Sequence, residues 1–174
     1  MAKKARAGAS GAAGGSGVPT TAATVALRAA GIPFAGHVYV HDAAATDFGA
    51  EAARELGVEP ERVFKTLMVD TDAGLGIGIL SVRDQLDVKA LAVELGAKRG
   101  ALAEKAVAER KSGYVVGGIS PVGQKTALPT VLDDSALAFA SIFVSGGRRG
   151  FDIELAPADL LRAVAGRVAL IRRG

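Results

Sequence analysis

The stretch from Val63 to Val82 reads VFKTLMVDTDAGLGIGILSV and contains two apolar runs separated by TDAG. Apolar runs rich in β-branched residues on either side of a short Asp/Gly segment predict a β-hairpin. Side chains alternate between the two faces of a strand. In the first run one face carries Val63, Lys65, Leu67 and Val69, and the other carries Phe64, Thr66 and Met68. Because both faces are mainly apolar, we expect this strand to be central and covered on both sides.

Helical and extended patterns alternate on both sides of this hairpin. Caps and glycine stops predict helices over residues 19–31, 46–57, 86–96, 102–111 and 157–166. Apolar, β-branched runs predict strands over residues 37–41, 113–118, 129–133, 141–147, 151–156 and 167–171. Mixed elements with a hairpin-rich second half indicate an α/β or α+β domain built on a mixed sheet.

The length and the charge distribution indicate one folded domain with a short tail. A chain of 174 residues suggests a single domain. Residues 1–17 are rich in Gly, Ala and Ser and carry Lys3, Lys4 and Arg6 without an acid, which predicts a flexible basic tail ahead of a domain over residues 18–174. Removing those three cations from the 21 basic residues leaves 18, which balance the 18 acidic residues.

The N-terminal segment lacks the apolar core of a secretory signal. No apolar run approaches the roughly 20 residues that a transmembrane helix needs. We therefore expect a soluble, cytoplasmic protein that makes no contact with a membrane.

Cysteine is absent and histidine is rare. The lack of cysteine excludes disulfides, a thiolate nucleophile and cysteine-based metal sites. Only His37 and His41 are present, and no HExxH pattern occurs. We expect no metal, and we expect both histidines to face solvent, since histidine is intermediate in burial.

Lys65 is the most informative polar residue because it interrupts an apolar strand. A buried ammonium is costly unless it is paired or lines a cavity. The alternative is a lysine at the strand end whose stem is buried and whose charge reaches solvent.

Two further segments carry candidate groups. The SGGRRG segment, residues 145–150, is either an anion-binding nest or a hairpin turn. In the following FDIEL run, Asp152 alternates with Phe151 and Ile153, so it is either a solvated strand residue or a site carboxylate. Tyr39 is predicted to share a strand face with the two histidines.

The segment GGISPVGQKT, residues 117–126, differs from a phosphate-binding P-loop by one residue. Gln124 separates the last glycine from the lysine, and Pro121 removes one backbone donor. The following TALPTVLDD reads as loop and strand, whereas a P-loop leads into a helix. We reject a nucleotide-binding role and expect the glycines to allow close approach of backbone to a ligand.

Several motifs together resemble the YbaK/EbsC family. VFKTL, GYVVGGISPVGQ, LPTVLD and SGGRRGFDIELAP, preceded by HVYVHD and FGAEAARELGV, follow the order and spacing of that family. The similarity extends from about Thr20 to the C-terminus. It implies a mixed, barrel-like β-sheet core with flanking helices, related to the editing domain inserted in some prolyl-tRNA synthetases, and no metal or organic cofactor.

The resemblance also implies a set of site residues. Lys65 matches the lysine that is essential in the family. The other positions that match the family's substrate pocket, its SGG motif or its glycine-rich loop against the terminal aminoacyl-adenosine are Tyr39, Thr66, Gly117, Gly118, Ile119, Ser120, Pro121, Ser145, Gly146, Gly147 and Asp152. Thr126 departs from the pattern, because many relatives carry a second basic residue there.

The function implied by the resemblance is trans-editing. A Cys-tRNA(Pro) deacylase of this family removes cysteine that prolyl-tRNA synthetase has attached to its tRNA, with the substrate's own thiol attacking the ester. The implied partners are the acceptor end of mischarged tRNA and prolyl-tRNA synthetase. Hydrolysis of Ala- or Ser-tRNA by water, and a tRNA-binding module without activity, remain open alternatives.

Overall fold

The computed structural model describes residues 17–174, so the predicted tail lies outside the described residues except for Gly17. Five α-helices occur in the described part of the chain: α1 Ala22–Ala29, α2 Phe48–Leu56, α3 Val88–Glu94, α4 Lys105–Ser112 and α5 Pro157–Val164. The strands there are β1 Ala35–Val38, β2 Phe64–Thr71, β3 Gly74–Ser81, β4 Gly100–Leu102, β5 Thr130–Asp133, β6 Ile142–Arg148, β7 Phe151–Leu155 and β8 Arg167–Ala169. None of the described helices is long and apolar enough to cross a membrane.

The predicted hairpin is confirmed. Strands β2 and β3 pair in antiparallel register from Phe64 opposite Ser81 to Thr71 opposite Gly74. Phe64 and Met68 belong to the largest apolar cluster, whereas Val69 belongs to a second cluster on the opposite face. The strand is therefore covered on both sides, as the two apolar faces predicted.

The strands form two sheets. One is antiparallel with the order β1-β7-β6, and the other is mixed with the order β4-β2-β3-β5-β8. A single parallel bridge between Val63 and Phe143 connects them. The fold is thus the mixed α/β single domain that was predicted, but the strands of residues 17–174 form two open sheets and do not close into a barrel.

The helix signals in the sequence were reliable because they are local. Asp47 and Asp87 cap α2 and α3 by accepting from Ala50 N and Ala90 N, each at 3.0 Å. Gly57 ends α2 in the left-handed conformation, with φ of 68°. Such Asp caps and glycine stops act within one turn and need no tertiary partner.

Three strand predictions differ from the structure. The first strand is Ala35–Val38 instead of residues 37–41, and residues 113–118 form turns instead of a strand. Gly113 and Gly117 have φ of 81° and 90°, which an extended strand does not accommodate. Strand β4 was not predicted, because its three exposed residues carry no alternating pattern and pair only with the edge of β2.

Candidate functional site

A cavity with a volume of about 640 Å³ lies in the gap between the two sheets. Consecutive residues 63–68 all line it. Because alternate side chains of a strand point to opposite faces, a cavity that touches all of them must run along the edge of the strand. The edge of β2 is open here, since β4 pairs only with Val69–Thr71 and β6 only with Val63.

Lys65 lies half-buried in the wall of this cavity. Its Nζ donates a hydrogen bond to the main-chain oxygen of Asp84 at 2.6 Å. Burial lowers the pKa of the Lys65 ammonium, and the nearby Asp47 and Asp84 carboxylates offset part of that effect. An ammonium has three hydrogens to donate, so two remain for a ligand.

Asp152 and Ser145 reach the cavity from the other sheet, where they lie directly opposite each other on β7 and β6. Asp152 is only 6% exposed, so the structure excludes a solvated strand residue. Burial raises the pKa of this carboxyl from 3.8 to about 7. The cavity therefore contains an acid whose protonation changes near neutral pH.

Tyr39 follows β1 and is held by a bond from its main-chain nitrogen to Gly150 O at 2.9 Å. Burial, with Asp152 and then Glu51 adding to it, raises the pKa of the Tyr39 phenol above its usual range. The phenol thus stays protonated at neutral pH. Because β1 ends at Val38, Tyr39 does not share a strand face with the histidines.

Both histidines are partly buried and paired, so the expectation that they face solvent was wrong. His37 Nε2 lies 3.0 Å from Glu154 Oε1, and His41 Nδ1 lies 2.7 Å from Glu51 Oε1. Neither imidazole lines the cavity. Each histidine pairs with a glutamate of a neighbouring element. The sequence did not reveal these pairs, because the partners are far apart in the chain or belong to different elements.

The structure brings seven of the twelve predicted site residues together around the cavity: Tyr39, Lys65, Thr66, Gly117, Ile119, Ser145 and Asp152. The other five do not line it: Gly118, Ser120, Pro121, Gly146 and Gly147. Ser120 is fully buried, and its side-chain oxygen accepts from Val122 N at 3.2 Å. The proposed contacts of all twelve with substrate stay predictions.

Two of those glycines are required by close packing within the protein. A Cβ on Gly118 would lie 2.7 Å from Arg148 Cα and 2.9 Å from Arg149 N. A Cβ on Gly146 would lie 2.3 Å from ring atoms of Phe151, at the bulge between Ser145 and Arg148. We expected glycine to leave space for a ligand. At these two positions the space is filled by other residues of the protein.

We expect Gly118→Ala to destabilise the protein by about 2 kcal/mol, because the new methyl group meets main-chain atoms that cannot rotate away. Thermal or urea unfolding measures the loss. Gly174→Ala is the control, since a Cβ there meets no heavy atom within 4 Å. Unfolding of Gly118→Ala at the native midpoint would contradict the close approach.

Sequence reasoning missed the contribution of helix α2 and its preceding loop. Thr46, Asp47 and Phe48 line the cavity, and so do Leu102 and Lys105 on the opposite side. From the sequence, Thr46 or Asp47 was expected only to cap the helix predicted over residues 46–57. The cap signal did place the start of α2 correctly, but which elements surround that start is a tertiary property.

Arg149 joins two walls of the cavity. Its Nε and Nη2 donate to Val116 O at 2.9 and 2.7 Å. Its guanidinium also lies over the Phe48 ring, 5.0 Å from the centroid. Val116, Gly117 and Phe48 all line the cavity, so Arg149 fixes the Gly117 loop against the start of α2.

Arg149→Ala is expected to raise KM for the cavity's substrate and to speed amide hydrogen exchange at residues 116–118, with kcat/KM lower by about 10-fold. Lost hydrogen bonds and the lost cation–π contact contribute about 1–2 kcal/mol. Arg149→Lys should not restore the protein, because a lysine cannot bind one carbonyl through a planar fork. Arg148→Ala, at the exposed neighbour, is the control. Unchanged exchange at 116–118 would show that Arg149 does not hold this loop.

No cluster of three or more potential metal-ligating side chains occurs among the residues that the structure describes. The TALPTVLDD segment, residues 126–134, begins as a loop and continues as strand β5. A P-loop would lead into a helix, so this agrees with its rejection. Fold and cavity define the class: a single α/β domain with a lysine, a buried carboxyl and a phenol in one cleft between two sheets.

Comparison with known proteins gives the family. Residues 42–163 match the aminoacyl-tRNA editing domain, so the chain belongs to that family. A relative from Enterococcus faecalis (strain ATCC 700802 / V583), named "Putative Cys-tRNA(Pro)/Cys-tRNA(Cys) deacylase EbsC", is 38% identical over 120 residues, which cover 68% of this chain and 73% of the relative. The activity supported by these matches is that of an aminoacyl-tRNA editing deacylase.

Solved structures confirm the fold. One is described as the "Crystal structure of a putative trans-editing enzyme for prolyl tRNA synthetase"; it is 24% identical, with a TM-score of 0.79, covering 90% of this chain and 99% of that chain. Another, of "hypothetical protein APE2540", is 26% identical with a TM-score of 0.79 and covers 88% of this chain and 100% of that one.

Proposed function

We propose that this protein is a trans-editing enzyme that clears Cys-tRNA(Pro) by substrate-thiol-assisted cleavage of the aminoacyl ester. The observation that carries the mechanism is the composition of the cavity wall. Within the described residues, hydroxyl groups line the cavity but no histidine or cysteine does. A serine or threonine nucleophile is normally activated by an adjacent base, and both histidines are held elsewhere by Glu154 and Glu51.

The substrate can supply the nucleophile that the cavity wall lacks. The cysteine sulfur attacks the ester carbonyl, the bond from that carbonyl carbon to the ribose oxygen breaks, and a four-membered thiolactone forms. The thiol proton ends on the ribose hydroxyl, and water later opens the thiolactone. The protein then contributes by holding sulfur and carbonyl close together and by stabilising charge on the carbonyl oxygen.

Lys65 and Asp152 are suited to different parts of this reaction. The two unused Lys65 hydrogens can stabilise the developing oxyanion or bind ribose or phosphate at the tRNA end. The Asp152 carboxyl lies across the cavity, where its charged form attracts the α-ammonium of an aminoacyl group. The volume of about 640 Å³ accommodates an aminoacyl group together with part of the terminal adenosine.

A second candidate is hydrolysis of Ala- or Ser-tRNA by an activated water. The buried Asp152 carboxyl favours it, since a pKa of about 7 suits a general base at neutral pH. The cavity would then need a water between Asp152 and the ester. Specificity for the amino acid separates the two candidates, because only cysteine carries the thiol.

The proposed partners are the acceptor end of mischarged tRNA and prolyl-tRNA synthetase. Beyond residues 1–17 the chain has equal numbers of acidic and basic side chains. Few neutralised phosphates give weak binding to a nucleic acid. We therefore infer weak affinity for tRNA alone and selection of tRNA(Pro) through the synthetase.

A deacylation panel tests the proposal. Cys-tRNA(Pro), Ser-tRNA(Pro) and Ala-tRNA(Pro) are incubated with the protein, with and without prolyl-tRNA synthetase, and an amine nucleophile captures thiolactone as a cysteine amide, with a reaction lacking the protein as the blank. We expect turnover of the cysteine ester with trapped thiolactone. Turnover of Ala-tRNA(Pro) but not Cys-tRNA(Pro) would favour the water mechanism, and tRNA binding without deacylation would indicate a noncatalytic module.

A further inference from the structure

We infer that the main chain of Thr66 binds the aminoacyl group of the substrate as a single residue of β-strand, with Thr66 N–H donating to the ester carbonyl and Thr66 C=O accepting from the α-amino group. This inference rests on the proposed function. It assigns the ligand class as an L-α-aminoacyl ester with a free α-amino group, and it assigns the binding to backbone atoms instead of a side chain.

The pairing of β2 determines where the Thr66 main chain points. Val63 O accepts from Val82 N at 2.8 Å across the hairpin. In an antiparallel pair, residues that exchange hydrogen bonds alternate with residues that do not. The same pattern therefore directs the main-chain groups of Lys65 and Leu67 toward β3, and those of Thr66 away from β3 into the cavity.

On the other edge of β2, no strand pairs with Thr66 within the described residues. Strand β4 pairs from Val69 onward, and its last contact along this edge is Ala103 N to Met68 O at 2.9 Å. Strand β6 forms a single bridge beside this edge, between Phe143 and Val63, the residue before β2. Within residues 17–174, no strand pairs with Thr66 on the edge of β2 that faces away from β3.

The Thr66 hydroxyl adds a third polar group. Its Oγ1 is buried and has no hydrogen-bond partner among the described residues. Buried donors and acceptors are paired in most proteins, and each unpaired one costs about 1–3 kcal/mol. An unpaired buried hydroxyl beside main-chain groups that face the cavity indicates a polar ligand at this edge.

An aminoacyl ester has the matching arrangement. Its α-amino donor and its carbonyl acceptor flank one Cα, as the N–H and C=O of a residue in a strand do. Laid antiparallel against Thr66, it would exchange two hydrogen bonds with that residue, as an added strand does at a sheet edge. The buried Asp152 carboxyl lines the same cavity and can pair with the α-ammonium.

This pose also gives the edge a part in stabilising the transition state. A backbone N–H aimed at the ester oxygen becomes a donor to the oxyanion as sulfur attacks, and such preorganised donors need no reorganisation during the reaction. The pose also distinguishes the enantiomers, because L- and D-residues in the same strand pose place their side chains on opposite faces of the strand. The edge therefore positions both the carbonyl and the attacking group.

The binding test uses an analogue that the protein cannot cleave, 3′-deoxy-3′-(L-cysteinylamido)adenosine. Amide hydrogen exchange and ¹⁵N–¹H spectra follow Thr66, with Leu67 as the internal control because its N–H faces β3. We expect the analogue to slow exchange at Thr66 by 10-fold or more and to leave Leu67 unchanged. Binding without protection of Thr66 would overturn the inference, and so would equal protection by 3′-amino-3′-deoxyadenosine, which lacks the aminoacyl group.

The kinetic test removes only the α-amino group. 3-Mercaptopropionyl-tRNA(Pro) keeps the thiol and the ester, and we expect kcat/KM about 10- to 100-fold below that of Cys-tRNA(Pro). Equal turnover of the two esters would refute the inference and leave the proposed function intact. Conversely, protection of Thr66 by the analogue without any deacylation of Cys-tRNA(Pro) would refute the proposed function and retain the inference.

Discussion

Lys65→Ala is expected to lower kcat/KM for deacylation of Cys-tRNA(Pro) by 100-fold or more while the protein keeps its fold. The effect is large because Lys65 is the only lysine in the cavity wall that is withdrawn from solvent, whereas the other, Lys105, is exposed within the described structure. Removing one preorganised donor to an oxyanion costs about 100- to 1,000-fold in comparable sites. Single-turnover deacylation measures the loss independently of product release.

The fold should tolerate this change. Burial lowers the pKa of the Lys65 ammonium, which means that the folded protein holds this charge at a cost. The lost bond to Asp84 O is worth about 1 kcal/mol, so the melting temperature should move by only a few degrees. Lys105→Ala is the matched control, since Lys105 lines the same cavity with a 71% exposed side chain. Full deacylation by Lys65→Ala, or an equal loss in Lys105→Ala, would refute the role of Lys65.

Above pH 7, the Asp152→Asn variant is expected to be more stable than the native protein. The substitution should also remove part of the pH dependence of the free energy of unfolding. The folded protein raises the pKa of Asp152 from 3.8 to about 7, so it binds a proton more tightly than the unfolded chain does. The stability tied to the protonated carboxyl is therefore complete below pH 3.8 and is lost as the pH rises to about 7. The loss is up to about 4 kcal/mol, at about 1.4 kcal/mol for each pH unit.

Urea unfolding of both proteins between pH 4 and pH 8 gives the comparison, because the contributions of all other groups cancel in the difference. As the pH rises, the free energy of unfolding of Asp152→Asn should increase relative to that of the native protein. Asp70→Asn, at an exposed residue of β2, controls for the loss of a carboxylate from the same domain. A difference that does not vary with pH would show that Asp152 is already ionised at acidic pH in the folded protein.

Deacylation by the native protein should follow the same ionisation if charged Asp152 holds the α-ammonium. The rate at subsaturating substrate would then rise through about pH 7, and the Asn variant would lose that rise. Hydroxide also cleaves aminoacyl esters, so the uncatalysed rate at each pH is subtracted. The pH profile thus separates a role of Asp152 in binding from a role in stability.

The sequence predicted the surroundings of a residue where those surroundings follow from its own strand. The alternation of VFKTLMV predicted a central strand with a lysine among apolar side chains, and Lys65 does lie half-buried in the wall of the cavity. For Asp152 the same reasoning failed to decide. Its burial depends on what covers the face of β7 away from the core, and that cover comes from distant elements.

The loop of residues 117–126 also shows which properties the local sequence predicts and which depend on distant residues. The sequence was sufficient to reject a P-loop, because Gln124 displaces the lysine from its place after the last glycine and Pro121 removes a backbone donor. It did not reveal why glycine is required at 118. The requirement comes from the backbone of Arg148 and Arg149, 30 residues later in the chain.

The sequence by itself determined the local properties of this protein: helix starts and stops, the β2–β3 hairpin, the absence of a cysteine nucleophile, and the motifs that identify the family. These depend on contacts within a few residues or on residue types alone. Only the tertiary structure decided that the strands form two open sheets and that the edge of β2 stays unpaired between them. The edge is unpaired because β4 pairs only with the end of β2 and β6 forms a bridge only at Val63. The positions of these two strands depend on distant residues, so residues 63–82 alone do not predict the unpaired edge.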